Sequence, residues 1–494
     1  MLEALQRRER LITNIFFVGA IGFVIVYFTQ LPSIIFDESA LLRIAYFFST
    51  EGTLRSDFIP AQVYGAYWLP PVHAWFLAFW FKAAGAGILS ARAFSLLCGA
   101  LAILFHRNIA RRFALRPELI LIFVLLLVTD PSVLRAMKVA RPDIVAVLFI
   151  ALAIIFLLEY YQSGAAKDLL IVGALAATSL FVHPLAVFIY LALFIELIVR
   201  RTSLAGLLLF LTPLFIASTC YLIWIIPNWD AAYPQILRNM YFRRGSTAFE
   251  PIRNFLITYS HAPIHGIIHL GVAIYAPIAF IQRRRNISLP ALISSSTLIF
   301  LFLYSSADSL VYVAPFSFLF IAQIAEEKIW RARSRKVFFS AGILLIFLSV
   351  FFYHSRIILY PTKSDSPSSY QTFCEEIAAN LPQGSNALVY GYPDAAAGLW
   401  QFRPDLSLTT FYWFSDSEAV TELRKTNFLI YTIGTKRADD KRNFEEFWSS
   451  VSRRIELAGL YPRLIATVGD EKRDWEFSAR IYYLETRSPD FSPR

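Results

Sequence analysis

The sequence is poor in charged residues and in cysteine. Only 17% of its 494 residues are charged, whereas a water-soluble domain carries roughly a quarter. Hydrophobic residues make up 57% and the mean hydropathy is +0.53, which excludes an ordinary soluble domain. The three cysteines, Cys98, Cys220 and Cys374, lie far apart, so neither a disulfide framework nor a zinc site is predicted. This composition indicates an integral membrane protein.

Several familiar signals are also missing. There is no glycine-rich phosphate-binding fingerprint, no low-complexity segment and no internal repeat. The lack of a repeat disfavours a transporter, since many transporters carry one. The basic start "QRRER" precedes a long apolar run without a small-residue cleavage site, so we expect an uncleaved first span with its N-terminus inside. The net charge of +10 lies mainly in short loops, which indicates membrane orientation and no nucleic-acid partner.

Twelve apolar segments approach the roughly 20 residues that a membrane span needs. They are 11–31, 69–84, 88–106, 118–134, 143–160, 168–182, 184–199, 204–226, 263–281, 288–305, 309–325 and 337–357. The basic loops at 106–116, 200–203, 282–286 and 326–336 are expected in the cytoplasm. All four agree if 69–84, which begins with Pro70-Pro71, is a re-entrant or interfacial element; a short true crossing there is the alternative. We predict an α-helical polytopic membrane protein with about 11–13 transmembrane helices. Demoting 69–84 gives eleven crossings and leaves the C-terminus outside.

The composition changes beyond residue 360 and becomes polar and mixed. The stretches "NALVYGYP", "NFLIYTIG" and "ARIYYLE" predict strands, whereas "SYQTFCEEIAANLP" and "NFEEFWSSVSRRIELAGL" predict helices. We therefore predict a transmembrane domain over 1–360 and a small extracytoplasmic α/β domain over 361–494. The transmembrane domain has two larger outer loops, 32–68 and 228–262.

The predicted topology places a set of polar and aromatic residues of the transmembrane domain on the outer face of the membrane. They are Asp37, Glu38 and Asp57 after the first span, Tyr64, Tyr67, Trp68 and His73 around Pro70-Pro71, Asp130, Arg135, Lys138, Arg141 and Asp143 in "TDPSVLRAMKVARPD", His183 in "HPLA", and Arg238, Arg243 and Arg244 in the second large loop. The cations on this side call for anionic partners, either lipid headgroups or a bound phosphate. Because the spans between are nearly uncharged, the pattern favours an enzyme surface over a path through the bilayer.

Some of these residues have structural explanations as well. Asp37 and Glu38 are also explained as the boundary of a span or as the start of an interfacial helix, where the helix dipole favours acids. Asp130 and Asp143 are also explained as helix caps beside prolines. His183, at a break in the apolar pattern, is also explained as a buried structural histidine.

Three histidines repeat at four-residue spacing. His261, His265 and His269 share one helical face, but no carboxylate joins them in sequence. The sequence therefore assigns no cofactor and leaves a divalent metal open.

These stretches, in their order, resemble the GT-C superfamily of integral-membrane glycosyltransferases, in particular the protein O-mannosyltransferase and lipid A aminoarabinose transferase branch. The resemblance covers residues 1–200 and is carried by "FDESALLR", "YWLPPVHAWFLAFWFKAAG", "ARAFSLLCGALAILFHRNIARRF", "DPSVLRAMKVARPD" and "HPLAVF". It implies a polyprenyl-phosphate-linked sugar donor, an extracytoplasmic active site and a catalytic aspartate in the first outer loop. Asp37 matches that aspartate and Glu38 its neighbour, whereas Arg141 and Asp143 match a polar position at the start of a later helix. Related lipid A transferases have Lys-Pro where this chain has "WLPPVH", so the phosphate contact of that lysine has no counterpart.

The charged residues on the outer face have the chemistry that glycosyl transfer needs. Glycosyl transfer from a phosphate needs a base for the acceptor proton and cations for the leaving phosphate. We expect Asp37 to be the base and Glu38 to position the acceptor or the sugar. Arg141, with Lys138 and Arg135 as alternatives, is expected to bind the donor phosphate, because the arginine fork matches phosphate geometry. Direct displacement predicts inversion at the anomeric carbon.

The remaining outer residues are expected to bind substrate, and they are Asp57, Tyr64, Tyr67, His73, Asp143, His183 and Arg243. The acceptor, a lipid, a glycan or a protein, is left open. The low cysteine count favours a bacterial inner membrane. Two other functions remain: a transporter or flippase of a lipid-linked sugar, and a structural subunit whose outer domain docks a partner.

Overall fold

The computed structural model describes residues 36–59, 62–243, 250–260, 262–282, 289–297, 307–329, 370–391, 395–410, 416–432, 440–469 and 478–486. The predicted first and last spans, together with Arg244 and His261, lie outside these ranges. The chain forms two compact units. The larger unit comprises 1–26, 67–76 and 92–359, and the smaller unit comprises 27–66, 77–91 and 360–494.

In its described ranges, the part of the chain before residue 330 contains helices and connecting loops but no strand. Its helices are α1 (Phe36–Glu51), α2 (Val72–Ala84), α3 (Ile88–Arg112), α4 (Pro117–Thr129), α5 (Pro131–Lys138), α6 (Asp143–Ser163), α7 (Ala166–Val182), α8 (Val187–Val199), α9 (Leu204–Ile225), α10 (Trp229–Arg243), α11 (Glu250–Tyr259), α12 (Pro263–Gln282), α13 (Leu289–Ser295) and α14 (Ala314–Ile324). Short 3₁₀ turns lie at Pro184–Ala186, Ile226–Asn228 and Ala307–Tyr312. The prediction of an α-helical membrane protein is confirmed by this architecture.

Three helices of the described part are long and apolar enough to cross a membrane. They are Ile88–Arg112, Asp143–Ser163 and Leu204–Leu237, and α4 with α5 makes a fourth if this bent pair is one span. In contrast, α2 has 13 residues, fewer than a single span needs. Its length agrees with a re-entrant or interfacial role for 69–84, which stays a prediction along with the number of crossings.

The bend of 57° between α4 and α5 has a local cause. Pro131 cannot continue the hydrogen-bond ladder of α4. The Asp130 side chain accepts hydrogen bonds from the backbone N–H groups of Ser132 (2.9 Å) and Val133 (3.2 Å), which caps α5. The capping role predicted for Asp130 is therefore found. Asp143 differs, because it is the first residue of α6 and the cap position before it, Pro142, makes no side-chain hydrogen bond.

Helices of the larger unit pack closely around a core of buried aliphatic and aromatic side chains. Where lipid replaces water, close packing of small residues drives helix association more than hydrophobic burial does. Gly173 of α7 is an example, because a Cβ atom there would overlap the backbone carbonyl of Phe210 in α9. The backbones of α7 and α9 thus approach as closely as glycine permits.

The end of the chain forms an α/β fold within the smaller unit. Its elements are α15 (Tyr370–Ala379), β1 (Asn386–Gly391), α16 (Ala396–Phe402), β2 (Ser407–Thr410), α17 (Asp416–Leu423), β3 (Phe428–Thr432), α18 (Asp440–Leu457), β4 (Leu460–Val468) and β5 (Ala479–Thr486). The strand order is β2-β1-β3-β5-β4, in which β1 is parallel to β2 and β3, and β5 is antiparallel to β3 and β4. The three predicted strands and two predicted helices are all found, whereas β2 and β4 were not predicted.

Candidate active site

A group of polar side chains surrounds Asp143 in the larger unit, and we call it the Asp143 cluster. Arg141 Nε lies 3.2 Å from Asp143 Oδ2. The Tyr312 hydroxyl donates to Asp143 Oδ1 at 3.3 Å, and the Tyr312 ring stacks on His183 with centroids 5.7 Å apart. His73 is buried, and Asp143 is the charged group that acts on it electrostatically. The structure thus brings together four of the predicted site residues with one tyrosine that was not predicted.

The cluster forms where helices are interrupted. Asp143 begins α6 after the break at 139–142, and His183 precedes the turn Pro184–Ala186, as the pattern "HPLA" indicated. Tyr312 ends the 3₁₀ turn Ala307–Tyr312, which packs against α5 and α6. Non-helical backbone at membrane depth is tolerated only where protein buries it or where it lines a cavity. Such breaks therefore mark a protein-lined polar site.

Charge is balanced within the cluster. The side chains of Arg141 and Asp143 are 15% and 5% exposed, so each would be costly to bury alone. Their pairing and the Tyr312 hydroxyl compensate for lost hydration. The pair therefore holds a guanidinium largely shielded from water, where it can bind an anion.

The other predicted phosphate ligands lie on α5. Arg135 is exposed and Lys138 is half-buried, both in the last turn of this helix. Cations suit a helix C-terminus electrostatically, so their position alone does not identify a phosphate site. The start of α5 is fixed by Asp130, whose Oδ2 lies 3.1 Å from His269 Nε2 and accepts from the Tyr259 hydroxyl at 3.3 Å.

The two described histidines of the triplet pack against this same bend. His265 Nε2 lies 3.1 Å from both Thr129 Oγ1 and the Leu126 carbonyl oxygen. In the described ranges no three His, Cys, Asp or Glu side chains are grouped so as to hold a metal ion. The carboxylate next to the histidines is Asp130, which is distant from them in sequence and was therefore missed.

The acidic pair begins α1 in the smaller unit, as the sequence indicated. Asp37 and Glu38 occupy the first turn of this helix, where its dipole favours carboxylates. Asp37 is half-buried and Glu38 is 0% exposed. A fully buried carboxylate is rare unless it is paired, so the burial of Glu38 makes this turn a candidate for chemistry as well as for capping.

Asp57 of the same unit has a partner that the sequence did not reveal. Its two carboxylate oxygens accept from Arg43 Nε (2.6 Å) and Nη2 (2.5 Å). This bidentate pair gives Asp57 a structural role, and its predicted contact with substrate stays a prediction.

The aromatic residues before α2 differ in exposure. Tyr64 is 94% exposed, whereas Tyr67 is 4% exposed. In the larger unit, the Tyr67 backbone N–H donates to Gln235 Oε1 at 2.9 Å, and the Tyr67 ring lies 4.9 Å from that of Trp224. Burial raises the pKa of the Tyr67 hydroxyl, so this group stays protonated as a hydrogen-bond donor. Arg243 is placed only as the last residue of α10.

Part of the chain matches a known sequence family. The sequence family described as dolichyl-phosphate-mannose-protein mannosyltransferase matches residues 69–229. A comparison with curated protein sequences gives no match.

Solved structures show the same fold at low sequence identity. ArnT from Cupriavidus metallidurans bound to undecaprenyl phosphate matches with a TM-score of 0.56 and 13% identity, over 97% of this chain and 99% of that chain. The archaeal oligosaccharyltransferase AglB from Archaeoglobus fulgidus, in complex with an inhibitory peptide and a dolichol-phosphate, matches with a TM-score of 0.52 and 12% identity, over 97% and 75% of the two chains. The mycobacterial arabinofuranosyltransferase AftD matches with a TM-score of 0.50 and 12% identity, over 96% and 42%. The predicted resemblance to GT-C glycosyltransferases is confirmed.

Proposed function

We propose that this chain, which has the fold of GT-C glycosyltransferases, transfers a sugar from a polyprenyl-phosphate-linked donor to an acceptor on the extracytoplasmic face of a membrane. The family match over 69–229 supports this activity, as does the likeness to chains that bind undecaprenyl phosphate and dolichol-phosphate. Neither the family nor the similar structures support the flippase alternative.

The observation that carries the proposal is the Arg141–Asp143 pair, in which Asp143 is buried and Arg141 is half-buried. It lies within the segment that matches the mannosyltransferase family, as do His73 and His183. Ionisable residues among membrane helices are costly and are usually retained for function. An arginine held there by a carboxylate and a tyrosine suits the phosphate of a lipid-linked sugar.

The proposed reaction is a single displacement. The acceptor oxygen attacks the anomeric carbon while Asp37 accepts the acceptor proton, and the bond between that carbon and the phosphate oxygen breaks. Arg141, with Lys138 and Arg135 as alternatives, stabilises the charge on the leaving phosphate. Glu38 positions the acceptor or the sugar, and the configuration at the anomeric carbon is inverted.

The remaining outer residues are proposed to line the substrate path. His73, His183 and Asp143 belong to the Asp143 cluster, whereas Asp57, Tyr64, Tyr67 and Arg243 lie elsewhere on the predicted outer face. We place the protein in a bacterial inner membrane, with residues 1–360 as the catalytic domain and 361–494 outside.

Sugar transfer in purified membranes tests this function. Radiolabelled polyprenyl-phosphate sugars are supplied to wild type, to Asp37→Asn and to the control Glu51→Gln. Glu51 is an exposed carboxylate at the other end of α1, about 20 Å of helix away from Asp37. Wild type and control should label a new product, and loss of the base should lower the rate by roughly 100-fold or more. Equal rates for all three would move the base elsewhere, and transfer by none would contradict this donor class.

A further inference from the structure

Helix α16 of the C-terminal α/β fold packs against α1, within the smaller unit. The Trp400 ring covers the Arg43 guanidinium, with 4.7 Å between Cζ and the ring centroid. The same ring meets the Tyr46 ring edge-on, at 4.7 Å between centroids. The helix that begins with Asp37 and Glu38 is thus held by a residue more than 350 positions away in the sequence.

The Arg43 guanidinium is held by one carboxylate and by several aromatic rings. Asp57 binds it through two oxygens, and the rings of Phe47 and Phe58 lie 4.5 and 5.2 Å from its Cζ. A guanidinium stacked on aromatic rings and paired bidentately has few alternative conformations. Any displacement of Trp400 therefore changes the surroundings of a rigid group on α1.

A second contact joins the sheet to the loop after α1. The Thr410 backbone N–H and hydroxyl both donate to the Phe58 carbonyl oxygen, at 2.7 and 2.9 Å. Thr410 is the last residue of β2, so this contact uses the carboxyl end of a parallel strand. That edge is where open α/β sheets commonly bind ligands, and here it binds the segment that supplies the Phe58 ring to Arg43.

A third contact concerns the turn between α2 and α3. A Cβ atom on Gly87 would lie 3.0 Å from Gln401 Nε2, so α16 approaches this turn closely next to Trp400. Three separate segments of the polypeptide thus contact α16 or the end of β2 in the C-terminal fold.

Helix geometry connects these contacts to the acidic pair. Arg43 follows Asp37 by six residues, about 9 Å along the axis and roughly 120° around it. Because α1 is a continuous helix over both positions, a shift or rotation at Arg43 is transmitted to Asp37 and Glu38. The α/β fold therefore holds α1 on a face other than that of the proposed base.

We infer that the C-terminal α/β fold positions the proposed catalytic helix, through Trp400 on Arg43 and Thr410 on Phe58. The catalytic part of this inference rests on the proposed function. Trp400 and Arg43 act as positioning residues, since they are assigned no contact with donor or acceptor.

Steady-state sugar transfer by the full chain in membranes is the first test. The variants are Trp400→Ala, Trp400→Phe and the control Phe402→Ala, which changes an exposed ring two residues along α16. Misplacement of the base affects the chemical step, so Trp400→Ala should lower kcat about tenfold or more while KM for the lipid donor changes less than about twofold. Trp400→Phe should restore most of kcat, and Phe402→Ala should match wild type. Thr410→Val keeps side-chain volume and the backbone hydrogen bond to Phe58 but removes the hydroxyl. It should lower kcat in the same direction but less than Trp400→Ala, and it serves if Trp400→Ala fails to fold.

A measurement without sugar donor separates this inference from the proposed function. Proteolytic cleavage within 36–59 is timed for Arg43→Gln, for Trp400→Ala and for the double variant. If the two side chains act on each other, the double variant is cleaved no faster than the faster single variant. Additive effects, or an unchanged kcat in Trp400→Ala, would overturn the inference. Coupled cleavage in a chain that transfers no sugar would retain the structural contact and contradict the proposed donor class.

Discussion

The Tyr312 hydroxyl donates a hydrogen bond to the Asp143 carboxylate across a separation of 169 residues. Its ring also stacks on His183, so one side chain connects the start of α6 with the break after α7. Asp143 in turn pairs with Arg141, which makes Tyr312 part of the support of the proposed phosphate ligand.

Tyr312→Phe tests this support, because it removes the hydroxyl and keeps the ring on His183. A hydrogen bond to a charged group contributes about 1.5–3 kcal/mol, so we expect kcat/KM for transfer to fall by roughly 10- to 100-fold. Tyr233→Phe, at an exposed tyrosine of α10, is the control and should leave the rate unchanged. A wild-type rate in Tyr312→Phe would mean that the reaction does not depend on the hydrogen bond from Tyr312 to Asp143.

Replacing Arg141 alone should lower both stability and sugar transfer. Replacing Arg141 together with Asp143 should restore stability but not transfer. Arg141→Met leaves a buried carboxylate without its cation, which should cost about 3 kcal/mol of unfolding free energy. Adding Asp143→Asn removes the uncompensated charge, so thermal stability in detergent should recover. Sugar transfer should remain lost in the double variant, because the proposed phosphate ligand is absent. Recovery of transfer together with stability would reject Arg141 as that ligand.

Gly173 and Gly271 form a matched pair for helix packing. Gly173→Ala forces the α7 and α9 backbones apart and should cost about 1–3 kcal/mol. Gly271 lies inside α12 with open space at its Cβ position, so Gly271→Ala should stabilise by about 0.5–1 kcal/mol. Thermal unfolding in detergent measures both, and equal effects would contradict the close approach at Gly173.

The environment of Asp405 predicts that the stability of the α/β fold falls in acid. Hydrogen bonds from Arg403, and one from the Gly384 backbone N–H, hold the pKa of this carboxyl well below its usual range. A lowered pKa means that stabilisation is present above the usual aspartate pKa and is lost as the pH falls through the lowered value. Thermal scans of the full chain between pH 5 and 2 should show a shallower acid loss in Asp405→Asn than in wild type. The control is Asp230→Asn, because Asp230 is an exposed residue of α10. Its thermal stability should change with pH as steeply as that of wild type. Identical slopes in all three chains would contradict the prediction.

Local patterns in the sequence determined many elements of this protein. The acidic pair marks the start of α1, "HPLA" interrupts two helices, and Asp130-Pro131 ends one helix and caps the next. Alternating and continuous apolar runs predicted β1, β3 and β5. Each of these signals lies within a few residues, where backbone sterics, capping and hydrophobic periodicity act. The edge strands β2 and β4 were missed because one is only four residues long and the other is mostly exposed, so neither has a strong apolar pattern.

The site residues required long-range information. Tyr312 lies at the outer end of a predicted span, where the topology could have suggested it, but nothing in its neighbourhood indicates Asp143. Arg43 looks like an ordinary charge on an amphipathic helix, and its enclosure by Asp57 and Trp400 appears only once the chain is folded. By itself the sequence determined composition, orientation signals and where helices begin and end, since these depend on neighbouring residues. Tertiary structure alone decided which buried charges are paired. The energy of a pair depends on the distance between the two charges in the folded chain, and the spacing of residues along the sequence does not give that distance.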